Sequence, residues 1–203
     1  MIDSYRTIAE PVSARITRKR SRFLALLIPV SSLDEVEREL RRLRKNHHNA
    51  SHVCYAYRLH REPAPLSAAD DAGEPSGSAG LPILQQLERA ELLDLLAVVI
   101  RHFGGVKLGV GGLVRAYSDA VSAALTGAQV AERTLEIEIE IAFPPELTSP
   151  VMSVIHRLEA RAARIEYDAQ ARATVSLAPS KAQEFIRALR DATGGRASSE
   201  VTT

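Results

Sequence analysis

The chain is poor in the residues that would announce a special chemistry. Its 203 residues contain no Trp, one Cys and only 4% aromatics. A single cysteine, Cys54, excludes an internal disulfide and suits a reducing, cytoplasmic home. No apolar run approaches the roughly 18 residues that a membrane span requires, so no membrane association is expected. The opening MIDSYRTIAE has neither the basic start nor the apolar core of a secretory leader. Net charge is only +1, which gives no global pull toward polyanions or lipid. What is present is ordinary for a globular protein: 45% apolar and 25% charged residues, enough for one large domain or two small ones.

The organising stretch runs from Leu92 to Leu125. Leu92 to Ile100 is a nearly continuous apolar run that reads as a strand buried on both faces. Gly104, Gly105, Gly109, Gly111 and Gly112 then account for five of the chain's 11 glycines. From Leu113 the pattern becomes helical, with Leu113, Ala116, Tyr117, Ala120 and Ala124 on one face. Strand, glycine loop, helix is an order that aims backbone N–H groups and a positive helix end outward. Arg101, Lys107 and Arg115 add fixed positive charge. The stretch matches neither the GxxxxGK[ST] phosphate loop nor the GxGxxG dinucleotide fingerprint. Two readings stand: a tight strand-to-helix turn, or an anion-receptive loop.

Elsewhere the signals are local. Residues 4–9 and 12–18 alternate apolar and polar side chains and are expected to form a hairpin around Glu10-Pro11. Arg18-Lys19-Arg20-Ser21-Arg22 precedes Phe23 and the strand Leu24–Val30, a solvated strand edge or a phosphate-contacting patch. Ser32 and Glu35 form a capping-box pattern for a helix whose buried stripe is Leu33, Val36, Leu40 and Leu43. His47, His48, His52 and Cys54 invite a zinc hypothesis, but no second ligand pair follows, so no metal is expected. Cys54 reads as a core residue, and His52 is the better site residue. Residues 61–80 read as one long loop in which Asp70, Asp71 and Glu74 gather acid, suited either to a cation or acid–base role or to plain turn chemistry. A helix Leu81–Ala90 follows, with Pro82 in its first turn.

Four segments together resemble the YigZ/IMPACT family (the Impact N-terminal domain): KRSRFLALLIPV at 19–30, HVCYAYRL at 52–59, DDAGEPSGSAGLPILQQL at 70–87 and VVIRHFGGVKLGVGGLVRAYSDA at 98–120. The acidic GEPSGSAG loop followed by FGGVKLGVGGLVRAY is the most specific part. The resemblance implies an N-terminal α/β domain of the kind shared by a ribosomal-protein domain and small-molecule kinases. In eukaryotic relatives it implies a regulator of translation acting through the activator of a starvation-responsive initiation-factor kinase. The chain departs from the family where Ala72 stands in place of a second aspartate before Gly-Glu-Pro, where His102 stands for a common Tyr, and where Ser78 stands for Thr. Losing one carboxylate weakens any two-acid site.

After Gly127 the pattern changes. Leu135, Ile137, Ile139 and Ile141 alternate with Glu136, Glu138 and Glu140, as in a half-buried strand. A helix over 145–160, strands near 163–168 and 171–177, and a helix opening at Pro179 follow. That last helix buries Ala182, Phe185, Ile186 and Leu189 and stops at Gly194-Gly195, before an edge strand within 196–202. The β-α-β-β-α-β order is that of a ferredoxin-like domain. The family resemblance implies the same, because the C-terminal domain of bacterial YigZ proteins is similar to a domain of elongation factor G. The expected class is therefore α+β, with an Impact N-terminal domain at 1–130 and a ferredoxin-like domain at 131–203. Residues 131–203 hold 9 Lys/Arg and 11 Asp/Glu, net −2, against 17 and 14, net +3, for 1–130. Any polyanion contact is thus expected on the N-terminal part.

Together with what the family resemblance implies, these observations lead to the expectation of a non-enzymatic, cofactor-free protein that binds RNA or ribosome-associated partners and regulates translation. Its anion or nucleic-acid site is expected to comprise Arg20, Arg22, His52, Glu74, Arg101, Gly104, Gly105, Lys107, Gly109, Gly111, Gly112 and Arg115. The rival expectation is an enzyme acting on a phosphorylated small molecule at the glycine loop, with Glu74 and His52 as acid and base.

Overall fold

A computed structural model of the protein describes residues 2–166 and 170–202. The chain divides into two compact units, residues 6–133 and residues 1–5 with 134–203. The first strand, β1 (Ser4–Ile8), does not form the hairpin expected from its alternation with 12–18. It pairs with β7 (Val130–Thr134) instead, and β2 (Val12–Arg18) pairs with β3 (Ser21–Pro29). Alternation makes a strand but does not choose its partner. The real hairpin turns at Lys19-Arg20, both with positive φ (44° and 67°), so these two cations form the tip of a tight turn, while Arg18 ends the edge strand β2 and Arg22 lies at the start of β3.

The larger unit is built on a five-stranded antiparallel sheet of order β2-β3-β6-β4-β5, with β4 at His52–Leu59, β5 at Leu66–Asp70 and β6 at Leu95–His102. The expected long loop 61–80 thus contains an edge strand, LSAAD, held by pairing with β4 rather than by its own propensity. β6 is central and buried on both faces because helices cover both sides of the sheet. Phe23, Ala25, Leu27, Cys54, Leu95, Ala97 and Val99 pack against α2 (Gly80–Arg89) and α3 (Val110–Thr126). Leu96, Val98 and Ile100 face α1 (Leu33–Asn46). The Ser32 half of the expected capping box forms, with Ser32 Oγ accepting from Glu35 N at 3.3 Å, while Glu35 accepts from Ser31 N at 2.7 Å, one residue before the cap. Val36, Leu40 and Leu43 are buried, but Leu33 is 42% exposed, since the first turn overhangs the sheet contact.

The smaller unit carries β8 (Ile137–Phe143), a 3₁₀ turn, α4 (Thr148–Arg157), β9 (Arg161–Glu166), β10 (Ala171–Leu177), α5 (Ala182–Thr193) and β11 (Ser198–Thr202). Its antiparallel sheet has the order β11-β8-β10-β9. Ile139, Ile141, Phe143, Val154, Val175, Phe185 and Leu189 form its core, with Ile186 only half-buried. α5 ends at Gly194, whose left-handed φ of 59° lets Gly195 N donate back to Arg190 O at 2.9 Å. Residues 167 and 168 of the expected strand 163–168 lie outside the described residues.

Candidate functional site

One end of the five-stranded sheet gathers the β2–β3 turn, the start of β4, the end of β6 and the glycine loop that leads into α3. Register places His52 opposite Arg101 and Arg101 opposite Phe23, so these three side chains share the face covered by α2 and α3. Arg101 is buried there. Its Nη1 donates to Glu74 Oε1 at 2.6 Å and its Nη2 to Ser21 Oγ at 3.3 Å, and its guanidinium lies 5.5 Å from the Phe23 ring centre and 5.4 Å from that of Phe103. Tyr117 Oη donates to the same Glu74 oxygen at 2.7 Å. Glu74 is therefore held by an arginine and a phenol in an almost dry setting, with side-chain exposures of 3% for Glu74 and 6% for Arg101.

Two further groups complete this cluster. The Cys54 thiol lies 3.0 Å from Asp71 O and 3.3 Å from Tyr117 Oη. Burial pushes the thiol up to about 12, with the Glu74, Asp71 and Asp70 charges adding to the shift and the Tyr117 hydrogen bond opposing it. Burial likewise raises the Tyr117 phenol, helped by its contacts with Cys54 and Glu74. His52 Nδ1 sits 3.0 Å from Ala72 O; a carbonyl can only accept, so this nitrogen carries the proton, and Nε2 stands 3.9 Å from Glu74 Oε1. A thiol so far from its thiolate form is a poor nucleophile.

The acidic loop is equally committed. Asp71 accepts backbone N–H bonds from Gly77 at 2.7 Å and from Ala79 and Gly80 at 2.8 Å. It thus caps α2, whose own N-cap Ala79 has no side chain to do so. Burial alone would raise the Asp71 carboxyl, but these three donors outweigh it and hold it below its ordinary value. Asp70 closes a turn by accepting from Ala72 N at 2.6 Å. Among the described residues no group of three His, Cys, Asp or Glu side chains is arranged to hold a metal.

The remaining expected site residues are distributed unequally. Gly104 is locked in place: its N–H donates to Ser21 Oγ at 3.2 Å, and a Cβ there would collide with the Arg20 carbonyl. Gly111, by contrast, sits in the first turn of α3 with nothing within 4 Å of a Cβ and no unusual φ. Gly105, Lys107, Gly109 and Arg115 are exposed and Gly112 is half-exposed, and α3 has no side-chain cap on its first N–H groups. Arg20 is exposed at the neighbouring turn. No described carboxylate pairs with Arg20, Lys107 or Arg115, whereas Arg101 is consumed by Glu74. Arg22 stands apart, because it pairs with His102 on the opposite face of the sheet.

The sequence reading missed three participants: Ser21, Tyr117 and Phe103. Tyr117 carried only a helical-face signal, and its hydroxyl meets Glu74 from 43 positions away. Phe103 is 48% exposed beside Val106 (39%) and Val110 (56%), so the glycine loop presents apolar as well as cationic groups.

This end of the fold lies inside the residues, 19–125, that match the model of the Impact N-terminal domain. The chain belongs to the IMPACT family. IMPACT family member YvyE of Bacillus subtilis is 44% identical over 135 residues, 66% of this chain and 62% of that protein. The match therefore spans less than two thirds of YvyE. IMPACT family member YigZ of Escherichia coli is 29% identical over 196 residues, 96% of each chain. Protein IMPACT of Rattus norvegicus is 35% identical over 98 residues, 31% of its length. A solved structure described as that of a hypothetical protein superposes with a TM-score of 0.72 at 27% identity, covering 100% of this chain and 99% of the other. The mixed α/β architecture is thus shared with that solved structure. No helix among the described residues is long and apolar enough to cross a membrane.

Proposed function

We propose that this IMPACT family chain is a non-enzymatic RNA-binding protein that regulates translation, with the glycine loop and the start of α3 as its contact surface. The observation that carries the reading is the open, unpaired character of that loop. Arg20, Lys107 and Arg115 stand exposed with no described acid to neutralise them, around uncapped N–H groups at a helix start. Phosphate contacts of this kind fix position without reading sequence. The exposed Phe103 ring offers a stacking platform for an unpaired base. Gly111 fits the same picture, because a residue without a side chain lets a ligand approach a backbone that nothing else crowds.

The buried Glu74–Arg101–Tyr117 cluster then serves as the anchor that holds the strand end and loop in place. It is not an acid–base pair in this reading, since Glu74 Oε1 is taken by two internal donors, Arg101 and Tyr117. We read the β-α-β-β-α-β order and 4-1-3-2 sheet of residues 134–203 as a ferredoxin-like domain, and the larger unit as the Impact N-terminal domain of the ribosomal-protein and small-molecule-kinase type. The match to Protein IMPACT of Rattus norvegicus supports the family resemblance on which the translation reading rests.

The test is binding of the purified protein to a fluorescent single-stranded RNA across a salt series. Affinity is expected to fall steeply with salt, by counterion release, and to be abolished by Lys107→Glu with an unchanged melting temperature. Phe103→Ala is expected to weaken binding by about 1–3 kcal/mol. Absence of binding at low salt, or a loss that tracks unfolding, defeats the proposal.

A further inference from the structure

The strands that carry the buried cluster present a second chemistry on their other face. Register sets Thr17 opposite Arg22, Arg15 opposite Leu24, and Arg22 opposite His102. Residues paired across strands project to the same side, so these five side chains share the face that α1 covers further along the sheet. α1 stops at Asn46, short of this corner, and the chain beyond it closes one side with His47 and Asn49. The result is a cleft of about 520 Å³ walled by Arg15, Thr17, Arg22, His47, Asn49 and His102.

Two guanidinium groups in one concavity repel each other unless an anion lies between them. Among the described residues neither Arg15 nor Arg22 has a carboxylate within ion-pairing distance; Glu35, Glu37 and Glu39 of α1 pair with its own Arg38, Arg41 and Arg42. The negative end of α1 is offset by Arg44 and Lys45 in its last turn. The cleft is far larger than a lone inorganic anion requires and falls within the range of small-ligand sites. Planar Arg forks suit phosphate oxygens, and Thr17 and Asn49 supply neutral donors and acceptors for hydroxyl groups beyond the phosphate. The geometry points to a binding site for a phosphate ester of mononucleotide size in this cleft, held through Arg15 and Arg22. None of its wall residues belongs to the glycine loop, so the site stands independently of RNA binding at Lys107.

The test is calorimetric titration of the full chain at low salt with 5′-AMP and, separately, with inorganic pyrophosphate. Saturable 1:1 binding of AMP is expected, weakened about tenfold or more by Arg22→Ala and by Arg15→Ala, and unchanged by Lys107→Glu. Both arginines are exposed, so the variants should remain folded, with thermal melts as the check; His102→Gln, at a half-exposed position, is a third probe and should also weaken AMP binding. No saturable binding of AMP overturns the proposal, as does binding of pyrophosphate alone, which means a simple polyanion patch. AMP affinity that survives Arg22→Ala in folded protein overturns it too. Loss of RNA binding in Arg22→Ala with no AMP binding by the wild type would assign the cleft to a polymer backbone instead.

Discussion

Replacing Arg101 by Met removes the one full positive charge that the buried Glu74 carboxylate touches. The remaining close donor is Tyr117 Oη at 2.7 Å, while His52 Nε2 stands 3.9 Å away, beyond hydrogen-bond distance. A carboxylate only 3% exposed cannot recover the lost interaction from water. Breaking one side of such a pair costs about 3–5 kcal/mol, because a buried charge is left uncompensated. At about 2–4 °C per kcal/mol for a chain of this size, the melting point should fall by roughly 10 °C. Arg101→Met also removes the contact with the Phe23 and Phe103 rings, so a second variant isolates the charge. Arg101→Met/Glu74→Gln exchanges the orphan carboxylate for an amide that can still accept from Tyr117, and should regain most of the loss. Cys54 gives a clean assay. It is the chain's one cysteine and lies fully buried in the larger unit, so thiol labelling across a urea series reports that unit's opening alone. A loss below about 1 kcal/mol, or a double variant no more stable than Arg101→Met, would refute the reasoning that Glu74 depends on Arg101.

Four more outcomes follow from the same contacts. Gly104→Ala forces a Cβ into the Arg20–Ser21 backbone, which has no flexible end to yield, and should cost about 3 kcal/mol or more in urea denaturation. Gly111→Ala meets open space in a helix and should stabilise the fold by up to about 1 kcal/mol while weakening RNA binding; unchanged RNA affinity would remove Gly111 from the contact surface. With its thiol pushed up to about 12 and no exposed surface, native Cys54 should resist iodoacetamide at pH 8 and react promptly once urea unfolds the chain. Asp71→Ala should cost about 1–2 kcal/mol at pH 7 by uncapping α2. The Asp71 carboxyl is lowered on folding, so its contribution is present above the ordinary value of 3.8 and lost as pH falls through the lower folded value. The gap between wild type and variant should therefore close in melts run below about pH 4.

Much of this was legible in the sequence because it is local. Periods of two and 3.6 residues, an apolar run bounded by glycines, and a Ser-x-x-Glu cap each act over a few positions. They placed β6, α1, α3 and the succession of elements from β8 to β11. The glycine loop could be singled out for the same reason. Long-range pairing decided the rest. Nothing within 4–18 says that β1 joins β7 rather than β2, or that LSAAD becomes an edge strand only because β4 offers it a ladder. Arg101 and Arg22 read alike as cations. Yet the pleat sends one into a dry cluster with Glu74 and Tyr117 and the other to the opposite face with Arg15 and His102. Which arginine is spent on the fold and which is left for a ligand depends on what packs against each face of the sheet. That is settled by contacts between segments dozens of residues apart, a quantity no local pattern encodes.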